Sequence, residues 1–205
     1  MEISTPATIT LREGMGGNSS TQITKEELEN LKKSMYLSSR EILECHRRWI
    51  ELLRIRNRNV SQWRECRISQ IDFIEDLAEM TVNPFADRIC TILSSSEDRD
   101  GSMSFEDTVN LFSFFNQKAP KDLKAELAFA IYDFDGDNSI GRSDLAQLVY
   151  RLCGKARINE EELNILIEAV LDEADLDHSR TLCQIEFMHL LTHSPNFESS
   201  FCIRI

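Results

Sequence analysis

From Lys25 onward, apolar residues recur every three or four positions, and no stretch alternates strictly between apolar and polar. This spacing predicts amphipathic α-helices rather than strands. One such helix is expected from about Ser39 to Arg54. Its apolar positions are Ile42, Leu43, His46, Trp49, Ile50 and Leu53. Because only 4 Pro and 7 Gly occur in the chain, little interrupts the pattern, and we predict an all-α protein.

The helical pattern repeats in the second half of the chain. Leu145 and Leu148 follow one acidic segment, and Phe187 and Leu190 follow another 42 residues later. Each unit therefore consists of a helix, an acidic loop and a second helix. The apolar faces of one unit cannot be buried alone, so we expect the units to pair.

Four segments follow from these patterns. Residues 1–24 are rich in Ser, Thr and Gly without periodicity, and they are predicted to form a flexible tail. Residues 25–117 are expected to form an N-terminal lobe with degenerate loops, and residues 118–194 a C-terminal lobe with metal-binding loops. Residues 195–205 form a C-terminal tail segment.

Charge and composition exclude several classes of protein. The 205 residues carry a net charge of −12, which repels phosphate backbones and argues against nucleic-acid binding. No apolar stretch approaches 18 residues, and neither a signal peptide nor a CxxC pair is present among the 6 Cys. We therefore expect a cytoplasmic protein with reduced thiols. Residues 1–82 are nearly neutral, so the acidic excess lies in the second half and indicates cation coordination.

The segment 133–144 fits the twelve-residue EF-hand loop, in which alternate residues supply oxygen ligands to a hard cation. Its predicted ligands are Asp133, Asp135, Asp137, the carbonyl of Ser139 and, at position 12, Asp144. Asn138 takes position 6, where the chain needs a left-handed conformation that Asn tolerates. Because Asp144 is shorter than Glu, we expect this loop to accept Mg²⁺ as well as Ca²⁺.

The segment 175–186 is a second match. Its predicted ligands are Asp175, Asp177, Ser179, the carbonyl of Thr181 and a bidentate Glu186. Arg180 at position 6 brings backbone strain and a charge that opposes the ion, so this loop is either a metal site or a pairing scaffold. The segment 96–107 also fits but begins with Ser96, and we expect it to be metal-free. Residues 54–72 contain no series of acidic residues at alternate positions that could coordinate a cation.

Several further strings of residues resemble the calcium- and integrin-binding protein family of EF-hand proteins. They are Arg40-Glu-Ile-Leu, His46-Arg-Arg, Asn83-Pro-Phe-Ala-Asp-Arg-Ile-Cys90, Ser104-Phe-Glu-Asp107, Ala128-Phe-Ala-Ile-Tyr-Asp-Phe-Asp135, and Ser194-Pro-Asn-Phe197 with Ser200-Phe201. The resemblance extends over residues 25–205. It implies four EF-hands paired in two lobes, of which only the third and fourth bind metal. Asp144 matches the family at position 12, whereas Arg180 departs from its usual Gly.

The resemblance also implies a function. Family members are adaptors rather than enzymes, and a hydrophobic groove binds an amphipathic cytoplasmic helix of a membrane protein. Integrin α-subunit tails and transmembrane channel-like proteins are the expected partners, with only peripheral contact to the membrane. Candidate lining residues are Phe112, Phe114, Phe115, Leu148, Leu152, Met188 and Leu191. The tail from Pro195 is expected either to enter this groove or to pack as a simple terminus.

Two other functions stay open at this point. One is a regulatory subunit of an enzyme in the manner of calcineurin B, and the other is a Ca²⁺ buffer that does not open. The residues Met15 to Ser20 have the form of an N-myristoylation signal, which would operate only if translation began at Met15.

Overall fold

A computed structural model of the protein describes residues 21–194, 196–197 and 201–203. The predicted myristoylation signal at Met15 lies outside these residues. The described chain is helical. The helices are α1 (Lys25–Ser34), α2 (Ser39–Ile55), α3 (Gln70–Asp76), α4 (Ala78–Thr81), α5 (Ala86–Leu93), α6 (Phe105–Phe114), α7 (Lys121–Tyr132), α8 (Arg142–Cys153), α9 (Glu160–Ala174) and α10 (Gln184–Thr192). The predicted helix from Ser39 is thus α2, and the all-α prediction is confirmed.

The chain divides into two compact units. The C-terminal unit comprises residues 120–201, and the described part of the N-terminal unit comprises residues 21–119 with residues 202–203. No helix among the described residues has the length and apolar run that a membrane crossing requires.

The helices α6, α8 and α10, which follow the second, third and fourth loops, begin at the same kind of cap. Ser104 accepts a hydrogen bond from the amide of Asp107, whose carboxylate in turn accepts one from the amide of Ser104. Asp144 and Glu186 likewise accept a bond from the amide of the residue that precedes their helix. Such boxes satisfy donors at a helix start that would otherwise lack partners. The carboxylate at position 12 of these three loops therefore also fixes where the exiting helix begins.

Within each unit, the two loops are joined by a single antiparallel bridge between their apolar eighth residues. In the N-terminal unit, Ile68 and Met103 exchange backbone hydrogen bonds of 2.9 and 2.8 Å. In the C-terminal unit, Ile140 and Leu182 exchange two bonds of 2.9 Å. The paired helix–loop–helix units expected from the repeat are therefore present in both units.

Each unit buries its own apolar residues. In the N-terminal unit, Trp49 and Trp63 are buried, and the indole N–H of Trp49 donates to the carbonyl of Trp63 at 3.0 Å. The ring of Phe105 packs edge-on against Trp63, with 4.8 Å between ring centroids. The core of the C-terminal unit contains Ala125, Ala128, Phe129, Ile140, Leu145, Leu163, Ile167, Leu171, Ala174, Leu182, Phe187 and Leu191.

Candidate metal centres

The third loop gathers three carboxylates around one point. Asp133 directly follows α7 and is only 7% exposed, whereas Asp135 and Asp137 are exposed. One carboxylate oxygen from each of the three lies within 4.8 Å of the others. The two oxygens of Asp133 also accept hydrogen bonds from the amides of Gly136 at 2.7 Å and Asn138 at 3.0 Å. These bonds fold the loop so that the acidic side chains converge.

Positions 4 and 6 of both C-terminal loops adopt left-handed backbone conformations. In the third loop, Gly136 has a φ of 76° and Asn138 a φ of 65°. In the fourth, His178 has a φ of 61° and Arg180 a φ of 66°. Residues other than Gly and Asn rarely adopt this region. His178 and Arg180 therefore each carry strain of about 1–2 kcal/mol.

Asp144, at position 12 of the third loop, is 2% exposed. Its oxygens accept hydrogen bonds from the amides of Phe134 at 3.0 Å and Gly141 at 2.9 Å. Burial raises the pKa of Asp144 against the effect of these bonds, and the charges of Asp135 and Asp133 raise it further. A bound cation would reverse this effect, because positive charge favours the ionised carboxylate.

The fourth loop forms a second carboxylate group from Asp175, Asp177 and Glu186, with the same 4.8 Å spacing. Asp175 and Glu186 are buried, at 5% and 4% exposure. The Glu186 carboxylate accepts hydrogen bonds from the amides of Leu176 at 2.8 Å and Cys183 at 2.9 Å. Burial alone would raise the pKa of Glu186, but the bonds from these backbone N–H groups outweigh it and lower the pKa. Glu186 is therefore held ionised within the group.

The remaining predicted ligands lie in the same two loops. The hydroxyl of Ser139 donates to Asp137 at 2.9 Å, and the hydroxyl of Ser179 donates to the carbonyl of Thr181 at 3.1 Å. The structure thus brings three carboxylates of each predicted ligand set together, loop by loop. Only Asp144 stands apart from the close carboxylate group of its own loop. The role of each residue in binding metal stays a prediction.

The guanidinium of Arg180 points towards α9 and not towards its own loop's carboxylates. It pairs with Asp172 at 2.9 Å and also with Glu168, which pairs in addition with Arg142. The amide of Arg180 still donates to Asp175 at 2.7 Å. The expected opposition between the Arg180 charge and an ion is therefore reduced by two carboxylates on the neighbouring helix.

The donor set of both loops is made of oxygen atoms. Carboxylates, hydroxyls and backbone carbonyls are the ligands that Ca²⁺ and Mg²⁺ prefer, whereas zinc sites use Cys and His. The clustered carboxylates, the left-handed turns and the position-12 carboxylates all fit a hard divalent cation. The side chains of the third and fourth loops can therefore hold a hard divalent cation.

The second loop, between α5 and α6, differs in length from the third and fourth loops. Asp107 accepts a hydrogen bond from the amide of Ser95 at 3.1 Å, as Asp144 does from Phe134. Ser94, which directly follows α5, therefore takes the place that Asp133 has in the third loop. The loop is two residues longer than the predicted register from Ser96, although its second half keeps that register. Within the described residues, no carboxylate group forms here.

An apolar cavity of about 250 Å³ lies in the C-terminal unit. It is lined by Tyr132, Ile140, Leu145, Leu148, Val149, Leu166, Ile167, Val170, Leu182, Phe187 and Leu190. Ile140 and Leu182 form the bridge between the two candidate metal loops, so one wall of the cavity is attached directly to both loops. A shift in either loop would therefore reach the cavity wall.

The candidate lining residues predicted from the sequence fall into different environments. Leu148 lines the cavity, and Leu152 is exposed on the last turn of the same helix. Met188 is half-buried against the core, whereas Leu191 is buried. The three phenylalanines on or just after α6, Phe112, Phe114 and Phe115, are buried in the N-terminal unit. Those three do not line an open surface in this structure.

Several curated proteins are similar in sequence to this chain along most of its length. Calcium and integrin-binding family member 2 from Homo sapiens is 36% identical over 191 residues, which cover 92% of this chain and 100% of that protein. The Drosophila melanogaster protein of the same name is 35% identical over 192 residues, with the same coverage of both chains. Human family member 3 is 34% identical over 190 residues, again covering 92% and 100%. The chain belongs to the calcium and integrin-binding family. No family model matches it.

Membership of the calcium and integrin-binding family confirms the resemblance identified from the sequence strings. It also agrees with the EF-hand assignment of the all-helical fold. The relatives are named for calcium, and the two carboxylate groups in the C-terminal loops of this chain are consistent with divalent-ion binding. The relatives are named for what they bind and not for a reaction that they catalyse.

Sequence reasoning missed two features of this family member. Leu166 lines the cavity from α9, and its spacing of four from Val170 was the available signal. The other is Arg67, whose guanidinium contacts the second loop. Nothing in the local pattern singles out Arg67, because its partners lie about thirty to forty residues away in sequence.

Proposed function

We propose that this protein is a divalent-cation-responsive adaptor that acts by binding and not by catalysis. The observation that carries the proposal is the pair of carboxylate groups, at Asp133, Asp135 and Asp137 and at Asp175, Asp177 and Glu186. Neighbouring carboxylates repel one another, and a divalent cation between them removes the repulsion. Metal binding would therefore order both loops.

The proposed ligands of the third loop are Asp133, Asp135, Asp137, the Ser139 carbonyl and Asp144, and those of the fourth are Asp175, Asp177, Ser179, the Thr181 carbonyl and Glu186. We assign Ca²⁺ to both loops, with Mg²⁺ as a competitor in the third. Glu186 is long enough for bidentate coordination, whereas the shorter Asp144 favours one oxygen and a six-coordinate ion. The Ile140–Leu182 bridge would couple the two loops mechanically.

The proposed partner is an amphipathic helix from the cytoplasmic part of a membrane protein. An apolar cavity whose lining includes the bridging residues of the paired loops suits helix anchors spaced by three or four residues. Exposed Leu152 extends the apolar surface beyond the cavity, and Leu166 in the cavity lining is also exposed. Because the relatives are named for integrin binding, an integrin α-subunit tail is the first candidate and a transmembrane channel-like protein the second. The protein would then act in the cytoplasm and reach the plasma membrane through its partner.

The C-terminal tail is a proposed competitor for the same surface. The rings of Phe197 and Phe201 stack with centroids 5.4 Å apart and pack, half-buried, against the core of the C-terminal unit. A partner helix with similar aromatic or aliphatic anchors would displace them. Exchanging one apolar contact for another in this way costs little free energy, which suits a reversible adaptor.

Calorimetric titration tests the metal sites. The Asp133→Ala and Asp175→Ala variants should each lose the heat of one Ca²⁺ site, whereas Asp98→Ala, which removes an exposed acid from the second loop, should match the unaltered protein. Unchanged titration of both ligand variants would refute the assignment. Mg²⁺ should compete with Ca²⁺ more strongly at the third loop than at the fourth.

Peptide binding tests the partner. Helical peptides from integrin α-subunit tails should bind with Ca²⁺ present and more weakly in EDTA, as measured by fluorescence anisotropy. Leu148→Glu should weaken binding about tenfold or more, because it places a charge in an apolar wall. Val82→Glu, at a residue 82% exposed in the N-terminal unit, is the matched control and should bind normally. Metal binding without any peptide binding would instead favour a Ca²⁺ buffer.

A further inference from the structure

Arg67 lies in the first loop and reaches into the second. The bridge between Ile68 and Met103 aligns the two loops, and Arg67 directly precedes the bridging residue. Its guanidinium contacts oxygen atoms from four residues of the second hand. The contacts are to the hydroxyl of Ser94 at 3.1 Å, the hydroxyl of Ser95 at 3.2 Å, the carbonyl of Ser102 at 2.5 Å, the hydroxyl of Ser102 at 3.0 Å and the carboxylate of Asp107 at 2.9 Å.

Three of these oxygens stand where an EF-hand loop places its metal ligands. Ser94 follows the entering helix as Asp133 does in the third loop. Ser102 directly precedes the bridging residue, so its carbonyl is at position 7, and Asp107 is at position 12. The guanidinium therefore lies among the first, seventh and twelfth positions of the loop, which surround the ion in a metal-loaded hand.

The charges at this point match a monovalent cation. Asp107 is 1% exposed, and the other contacts to Arg67 come from neutral hydroxyl and carbonyl oxygens. A divalent ion would need more than one carboxylate, as the third and fourth loops provide. A guanidinium has one charge, five N–H donors and no acceptor, so it can satisfy several oxygens at once.

We propose that the guanidinium of Arg67 is the resident cation of the second hand. It holds the loop in the hydrogen-bonded form that a divalent ion would otherwise impose, including the bonds from Ser95 and Ser104 amides to Asp107. The N-terminal unit then keeps its paired-hand structure at any Ca²⁺ concentration. The response to divalent ions is confined to the C-terminal unit, which goes beyond the adaptor role proposed above.

The test uses the full-length protein with Asp133→Ala and Asp175→Ala, which removes the metal sites proposed for the C-terminal unit. Both tryptophans of the chain, Trp49 and Trp63, are buried in the N-terminal unit, so tryptophan fluorescence during urea unfolding reports that unit. The urea midpoint should be the same in EDTA, Ca²⁺ and Mg²⁺. A midpoint that rises with either ion would overturn the proposal, because the second hand would then bind a divalent cation despite Arg67.

The second arm removes the guanidinium. Arg67→Ala should lower the urea midpoint by roughly 1–2 M, because it leaves the buried Asp107 carboxylate without its cation. Added guanidinium chloride, at concentrations far below those that unfold proteins, should recover part of the loss, whereas equal NaCl should not. Arg58→Ala, at an exposed arginine of the same loop, should behave as the parent.

An unchanged midpoint for Arg67→Ala would overturn the proposal, as would recovery by NaCl equal to that by guanidinium. If Arg67→Ala does not fold, Arg67→Lys can be used instead. It supplies a positive charge without the planar guanidinium group, and its urea midpoint should be below that of the parent protein. A Lys variant as stable as the parent would contradict a specific role for the guanidinium.

Discussion

Acidification from pH 7 to pH 5 should destabilise the N-terminal unit through one histidine. The Nε2 atom of His46 is buried without a hydrogen-bond partner in the described structure, and the ring packs edge-on against Trp63 and Phe105 at centroid distances of 4.7 and 5.7 Å. Burial lowers the pKa of His46, the charge of Arg64 lowers it further, and the carboxylate of Glu27 opposes both. The folded unit therefore disfavours the imidazolium.

The sign and size of the effect follow from proton linkage. Because the folded-state pKa lies below the unfolded value of about 6.5, the unfolded chain binds more protons, and stability falls as the pH drops below 6.5. If the folded state stays unprotonated to pH 5, the loss between pH 7 and pH 5 is about 2 kcal/mol, which is the upper limit for one such group. A smaller depression of the pKa of His46 gives a smaller loss.

Urea unfolding followed by tryptophan fluorescence measures this loss, with EDTA present so that metal affinity does not enter. The His46→Leu variant should lose less stability between pH 7 and pH 5 than the unaltered protein, by up to about 2 kcal/mol. His189→Gln, at an exposed histidine on α10, should retain the full pH dependence. Equal pH dependence in His46→Leu and the unaltered protein would refute the reasoning, whatever their stabilities at pH 7.

Three further predictions concern other positions. Hydrogen bonds from Arg64 and from the helix cap hold the pKa of Glu27 at about 2 against its burial, so its stabilisation is present above pH 4.5 and is lost as the pH falls towards 2. Glu27→Gln should therefore cost roughly 1–2 kcal/mol at pH 7 by tryptophan fluorescence, and this cost should vanish near pH 2. Asp144→Glu should shift the ratio of Ca²⁺ to Mg²⁺ affinity towards Ca²⁺, on the order of tenfold by calorimetry; an unchanged ratio would contradict the short-carboxylate reasoning. Leu171→Ala, in the core of the C-terminal unit, should cost about 2–5 kcal/mol by circular dichroism and leave the tryptophan transition in place.

The helices and the pairing of hands were predictable because each depends on residues close in sequence. The spacing of apolar residues defined α2 to within one residue of its observed end, and the repeat of helix, acidic loop and helix predicted the pairing of units that the Ile140–Leu182 bridge makes. The alternating acidic residues of the third and fourth loops were predictable for the same reason, because each set lies within twelve consecutive residues. A twelve-residue template contains its own ligands, so no tertiary information is needed to recognise it.

Features that depend on contacts between distant residues were not predictable. The direction of the Arg180 side chain is determined by two carboxylates on α9, Glu168 and Asp172, which belong to a different element. The extra length of the second loop is visible only when the bond from Ser95 to Asp107 shows where α5 ends. Burial of Phe112 likewise depends on packing against α2, where Arg48 covers its ring.

The uneven distribution of charge along the chain has a structural explanation in the two kinds of hand. In the N-terminal unit, Arg56 pairs with Asp72, the position-12 residue of the first loop, at 2.8 Å, and Arg67 pairs with Asp107 in the second. The Arg56–Asp72 pair lies within residues 1–82, where acids and bases are nearly equal in number, whereas Arg67 from that segment neutralises an acid beyond it. In the C-terminal unit, Arg180 pairs with α9 and leaves the carboxylates of its own loop to other cations. The acidic excess of the C-terminal unit is thus the charge that dissolved divalent ions are expected to balance, and substituting Arg67 should make the N-terminal unit depend on added guanidinium.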